Sequence, residues 1–144
     1  LIIIGYGSLN KKLKIFIKKN NLKNRVVILE NVSNPYPYFR IANLFISSSL
    51  YEGFPNVITE AIMFNVPVIS SNCNSGPSEI LLQKSGCHIF KTGNSNDLEN
   101  KFFAFFKNNK ILNKRNKILK NNLKNFDKKK IINQYNDTFL SLFK

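Results

Sequence analysis

The chain has 144 residues, 43% of them hydrophobic, and a formal net charge of +14. That composition supports one domain with a packed core and excludes a disordered chain. No apolar run reaches the ~20 residues that span a bilayer, and the opening Leu1–Ile4 run lacks the basic start and cleavage site of a signal peptide.

Leu1–Ile4 reads instead as a buried strand, and a chain that opens on a strand without an initiator Met reads as a piece of a longer protein. Leu9–Asn20 places Leu9, Leu13, Phe16 and Ile17 at helical spacing. Arg25–Leu29 is a second apolar run, Pro35–Ala42 a short helix and Leu44–Ser47 a third strand. Asn56–Phe64 is a helix that Pro55 opens from a favourable early position. Val66–Ser70 is a fourth strand, Pro77–Leu82 a short helix and Cys87–Phe90 a fifth strand. Strands that alternate with helices and read as continuous apolar runs predict an α/β, Rossmann-like parallel sheet with helices on both faces.

From about Asp97 the pattern is helical only. Asp97–Asn108 carries Leu98, Phe102, Phe105 and Phe106; Ile111–Asn125 carries Ile111, Leu112, Ile118, Leu119 and Leu123; Lys128–Phe143 carries Ile131, Ile132, Tyr135, Phe139, Leu140 and Phe143. These stripes predict core faces. The organisation is thus a Rossmann-like domain over 1–100, completed by C-terminal helices over 101–144.

The charge is uneven. Residues 101–144 hold twelve Lys/Arg against Asp127 and Asp137 alone, which leaves +10 of the +14 there. Such a field attracts nucleic acid or an acidic membrane leaflet; an A/T-rich coding sequence, which favours Lys, Asn and Ile, gives the same charge without a function. Cys73 and Cys87 form no CxxC pair and read as reduced thiols of a cytosolic domain, and His88, the only histidine, excludes a histidine-rich metal site.

In an open parallel sheet, ligands bind beyond the carboxyl ends of the strands. The Leu44–Ser47 strand runs out through Ser48–Leu50 into Tyr51-Glu52-Gly53-Phe54-Pro55-Asn56-Val57-Ile58-Thr59-Glu60. Gly53 permits a tight turn and a close backbone approach. The helix start offers the N–H groups of Asn56, Val57 and Ile58, with the positive end of its dipole, to a diphosphate. Glu60, about one turn in, leans back toward that end, where a carboxylate suits the paired hydroxyls of a ribose. Glu52, on the loop, can face a sugar beyond the phosphates.

Glu52 and Glu60, with seven residues between them, match the EX7E motif of retaining GT-B glycosyltransferases, and SSLYEGFPNVITEA resembles the corresponding stretch of glycosyltransferase family 4. Val66-Pro67-Val68-Ile69-Ser70 and Ser75-Gly76-Pro77-Ser78-Glu79-Ile80 are similar to the segment that follows in members building bacterial surface polysaccharides and lipopolysaccharides. Ile4-Gly5-Tyr6-Gly7, Val26–Val32 and Tyr38–Asn43 fall in family order upstream, so the resemblance covers about residues 1–100.

The resemblance implies a function: transfer of a sugar, with retention, from a nucleotide-diphosphate donor, UDP-linked, to a glycan or lipid-linked acceptor. Glu60 would hold the ribose hydroxyls and Glu52 would act at the transferred sugar as the catalytic contact. Gly53, Phe54, Pro55, Asn56 and Val57 would line the sugar and diphosphate, and Leu29 to Val32 would frame the base. Gly76 and Glu79 would close the rim. No cofactor and no metal are implied, the helix dipole and basic side chains stabilising the departing diphosphate. The Arg and Lys that clamp the diphosphate in members lie before the point where this chain opens, and an N-terminal acceptor-binding domain is missing, so the fragment alone is expected to be inactive. The implied location is cytoplasmic, at the inner face of an anionic membrane.

Two rivals compete. A non-catalytic α/β module whose basic tail binds nucleic acid is disfavoured by the motif string. Gly5, Gly7 and Glu30 loosely resemble a dinucleotide fingerprint, but Asn10 stands where its third glycine would be.

Overall fold

The computed structural model of the chain describes residues 1–81, 89–107 and 117–143. They pack as two compact units, Leu1–Tyr38 and Phe39–Lys144.

In the first unit, β1 (Ile2–Ile4) pairs in parallel with β2 (Val27–Leu29), and α1 (Asn10–Lys19) connects them. The register sets Ile2 beside Val27 and Ile4 beside Leu29. The α1 stripe is only partly used: Ile17 is buried, while Leu9 and Phe16 are exposed. Asn10 opens α1 and donates from Nδ2 to Glu30 Oε1 at 2.6 Å; Lys14 Nζ reaches the same oxygen at 2.7 Å. These hydrogen bonds, the Lys14 one first, hold the Glu30 carboxyl below its ordinary range. The dinucleotide reading required a free carboxylate there; Glu30 is instead tied to α1 by the residue that replaces the third glycine.

The second unit opens in α2 (Tyr36–Ile41) and is built on a parallel sheet of order β3-β4-β5, formed by Phe45–Ser47, Val68–Ser71 and Ile89–Phe90. Phe45 pairs with Val68, Ile46 with Ile69 and Ser47 with Ser70; Ser71 pairs with Phe90. Between the strands run α3 (Asn56–Met63) and α4 (Pro77–Ile80). After β5 comes α5 (Ser95–Lys107), whose start is capped by Asn94 Oδ1 accepting from Asp97 N at 3.0 Å. Residues 117–122 are helical (α6), followed by a 3-10 turn over Leu123–Phe126 and by α7 (Lys128–Ser141).

The sheet is covered on both faces, as the continuous apolar strands predict. Val68 points into one cluster with Ile58, Ala61 and Ile62 of α3, Ile80 of α4 and Leu119 of α6. Its neighbour Ile69 points into the other, with Phe90 and Phe105 of α5. Alternation along β4 therefore assigns α3, α4 and α6 to one side and α5 to the other. Helix α3 ends at Asn65, held at φ 60°, where the N–H groups of Asn65 and Val66 bond the carbonyls of Ile62 and Ala61 at 2.9 Å.

Two expectations need correction. The α7 stripe was predicted to be a core face, yet α7 buries no residue: Ile131 is half-buried, and Ile132, Tyr135, Phe139 and Leu140 are exposed. Helix α7 is set by its cap instead: Asp127 Oδ1 accepts from the N–H groups of Lys129 and Lys130 at 3.0 and 3.3 Å. Within the α5 stripe, Phe105 is buried and Phe106 exposed. Cys73 is buried and free; Cys87, His88, Ile111 and Leu112 lie outside the described residues. No helix among the described residues is long and apolar enough to cross a membrane.

These packings separate two isoleucines. Ile62 is 0% exposed, so Ile62→Ala should cost about 2–5 kcal/mol in denaturant unfolding of this chain. Ile132 is 46% exposed, and Ile132→Ala should change stability by less than about 0.5 kcal/mol.

Candidate functional site

The carboxyl ends of β3 and β4 lie side by side, and the loops leaving them meet. Ser71 Oγ, at the end of β4, donates to the Ser49 carbonyl at 2.5 Å. Ser75 Oγ donates to the Glu52 carbonyl at 2.6 Å. Ser49 Oγ donates to Glu52 Oε1 at 2.7 Å, which fixes the direction of that carboxylate. Glu52 is partly buried, so the loop holds a positioned anion rather than a solvated one.

Gly76 completes the seating. Its φ is +83°, a region L side chains rarely adopt, and a Cβ there would collide with the Pro55 ring and the Gly53 carbonyl. Pro55 and Pro77 are both fully buried, so two prolines pin the facing loops. The steric demand for glycine thus falls at Gly76. Gly53, the expected tight-turn residue, has ordinary backbone geometry, and a Cβ on it would meet open space. What Gly53 leaves open is the side on which a Cβ would stand, while its carbonyl packs on Gly76.

The loop turns into α3 through Pro55, which occupies the N-cap without a side-chain cap bond. The offered donors are fewer than the sequence predicts. Asn56 N–H bonds the Phe54 carbonyl and Ile58 N–H the Pro55 carbonyl, each at 3.0 Å. The turn that starts the helix consumes both, and Val57 is left with an N–H that bonds no described acceptor in this turn. Asn56 and Val57 are exposed. Glu60 is partly buried, and among the described residues its carboxylate has no hydrogen-bond or ion-pair partner.

Phe54 has a partner that sequence reasoning missed. Its ring lies 5.1 Å from that of Phe126, centroid to centroid, at 55°. No spacing rule links residues 54 and 126; only the fold brings them together. Phe54 remains 43% exposed. Glu79, in the first turn of α4, is exposed. Leu29 and Val32 belong to the first unit; both are partly buried, and the Leu29 carbonyl already accepts from Gly5 N–H at 3.0 Å.

The two glycines should behave differently. Gly76→Ala should lower stability by about 1–3 kcal/mol, since both φ and space oppose a methyl group. Gly53→Ala should stay within about 1 kcal/mol of the parent by thermal unfolding.

The sequence profile of the family described as Glycosyl transferases group 1 matches residues 1–125. An uncharacterized glycosyltransferase of Methanocaldococcus jannaschii is 48% identical over 81 residues, which are 56% of this chain and 20% of that protein. The Campylobacter jejuni N-acetylgalactosamine-N,N'-diacetylbacillosaminyl-diphospho-undecaprenol 4-alpha-N-acetylgalactosaminyltransferase is 29% identical over 131 residues, 91% of this chain and 36% of that protein. The chain therefore spans about a third or less of these relatives. Among solved structures, TarM superimposes with a TM-score of 0.84 at 22% identity, over 96% of this chain and 28% of that one. Anabaena HepE, solved with UDP, gives 0.81 at 22% identity, over 97% and 40%. At that identity the likeness is one of fold, the parallel α/β architecture of GT-B structures. On the profile match across most of its length, the chain belongs to the family Glycosyl transferases group 1.

Proposed function

We propose that this chain is the donor-binding part of a retaining glycosyltransferase that takes its sugar from a UDP-linked donor. The observation that carries the proposal is the contrast between two carboxylates on one loop and helix. Glu52 is oriented by Ser49, and Glu60 has no described partner. A carboxylate left unpaired can accept hydrogen bonds from a ligand.

In this reading Glu60 accepts from the ribose hydroxyls. The Val57 N–H and the positive end of α3 face the diphosphate, with Gly53 admitting it close to the backbone. Glu52 stands beside the transferred sugar, where a fixed negative charge stabilises the positive charge that develops as the diphosphate leaves. The donor is held without a metal. The acceptor, a glycan or a lipid-linked saccharide, binds a further domain of a longer protein.

Family membership and two kinds of relative support the reading. Close matches include lipopolysaccharide 1,6-galactosyltransferases of Escherichia coli and Salmonella typhimurium. Structures of the same fold were solved with UDP and with UDP-glucose. The basic tail would then lie near an anionic membrane that carries the acceptor, rather than on nucleic acid.

Calorimetric titration of the full-length protein with UDP tests the proposal. Glu60→Gln keeps the shape and removes the charge; it should weaken UDP about 10-fold or more, as a lost charge-assisted hydrogen bond does. Glu52→Gln should leave UDP affinity within about threefold and reduce sugar transfer instead. Unchanged UDP affinity in Glu60→Gln would sink the ribose assignment.

A further inference from the structure

The donor loop is braced from the sheet side by Ser71, Ser75 and Gly76. Its outer side is braced by a segment far along the chain, residues 117–126. Leu119 of that segment is 1% exposed in the cluster that holds α3 and α4. Lys120 Nζ donates to the Met63 carbonyl at the end of α3, at 3.3 Å. Asn122 Nδ2 donates to the carbonyls of Glu79 and Ile80 in α4, at 3.3 and 3.2 Å. Phe126 meets Phe54 itself. One short segment therefore bonds carbonyls at the ends of both α3 and α4 and packs on the loop that leads into α3.

We propose that Phe126 is a positioning residue for donor binding, acting through the ring of Phe54. This rests on the reading of the Glu52–Glu60 segment as the donor site. Phe54 sits between Gly53, whose carbonyl packs on Gly76, and Pro55, which leads into α3. The Phe126 ring restricts the rotamers of Phe54 and, through them, the backbone positions open to its neighbours. Without Phe126, Phe54 has one face less to rest on, and the loop loses its only ring contact among the described residues. The loop would then sample positions in which the Val57 N–H and Glu52 are displaced from those seen here. Small displacements of this kind reduce binding and turnover without unfolding a protein. Phe126 touches no donor atom in this account; its effect is on the geometry of the loop.

The test is a double-mutant cycle in the full-length protein, read as UDP affinity by calorimetry below the unfolding transition. Phe126→Ala should weaken UDP roughly three- to tenfold, the range of one aromatic pair. Phe126→Leu, which keeps apolar volume and protects folding, should fall between the parent and Phe126→Ala. Phe54→Ala together with Phe126→Ala should cost no more than Phe54→Ala alone, because the second residue acts through the first. Phe105→Ala empties the other core cluster and should lower Tm with UDP affinity kept. Additive losses in the double variant, full affinity in both Phe126 variants, or an equal loss in Phe105→Ala would each overturn the proposal. A parent protein that fails to bind UDP would overturn the donor-site reading and this inference together, which distinguishes that failure from the others.

Discussion

The parallel pairing of β3 with β4 is the constraint on which the site depends. It sets Ser47 beside Ser70 and so brings the two strand exits to the same edge. Slipping the register by one residue would turn Val68 and Ile69 to the wrong clusters and separate the loops. With the register fixed, two serine hydroxyls, of Ser71 and Ser75, tie the loops together, a third, of Ser49, orients Glu52, and the missing side chain of Gly76 lets Pro55 and the Gly53 carbonyl come close. The loop that carries Glu52 is thus shaped by its neighbour loop rather than by its own turn chemistry.

That arrangement gives two glutamates eight positions apart opposite states. Glu52 is recruited into the loop and points where Ser49 directs it. Glu60 is on a helix whose buried side, Ile58, Ala61 and Ile62, anchors it to the core, so its backbone is held in place while its carboxylate has no described partner. Preorganisation of this kind means a ligand meets groups already in position and loses less entropy on binding. The helix start contributes less than its free N–H count suggests, because the turn at Phe54 and Pro55 uses two of the donors.

Much of this was legible in the sequence. The element order, the parallel class and the covering on both faces follow from apolar runs that alternate with helical spacing, and the boundaries agree to within a few residues. The site's location follows from a strand that runs out into Glu52-Gly53-Phe54-Pro55. What was illegible has a common physical character. The pairing of Phe54 with Phe126, the Asn122 cap on α4 and the steric role of Gly76 are contacts between residues distant in sequence, and local pattern carries no signal for them. The α7 stripe erred in the other direction: periodicity shows that a face is apolar, not that something covers it. The Asn10–Glu30 bond shows a third case, where a weak glycine pattern and a well-placed acid form a structural tie.

Whether the segment from Gly53 to Glu60 receives the nucleotide is read from the amide chemical shifts of the isotope-labelled full-length protein through a UDP titration. Saturable shifts are expected at Gly53, Phe54, Val57 and Glu60, with the amides of α5 unmoved. Shifts confined to the lysines of α7, or none in the Gly53–Glu60 segment at saturation, would contradict it.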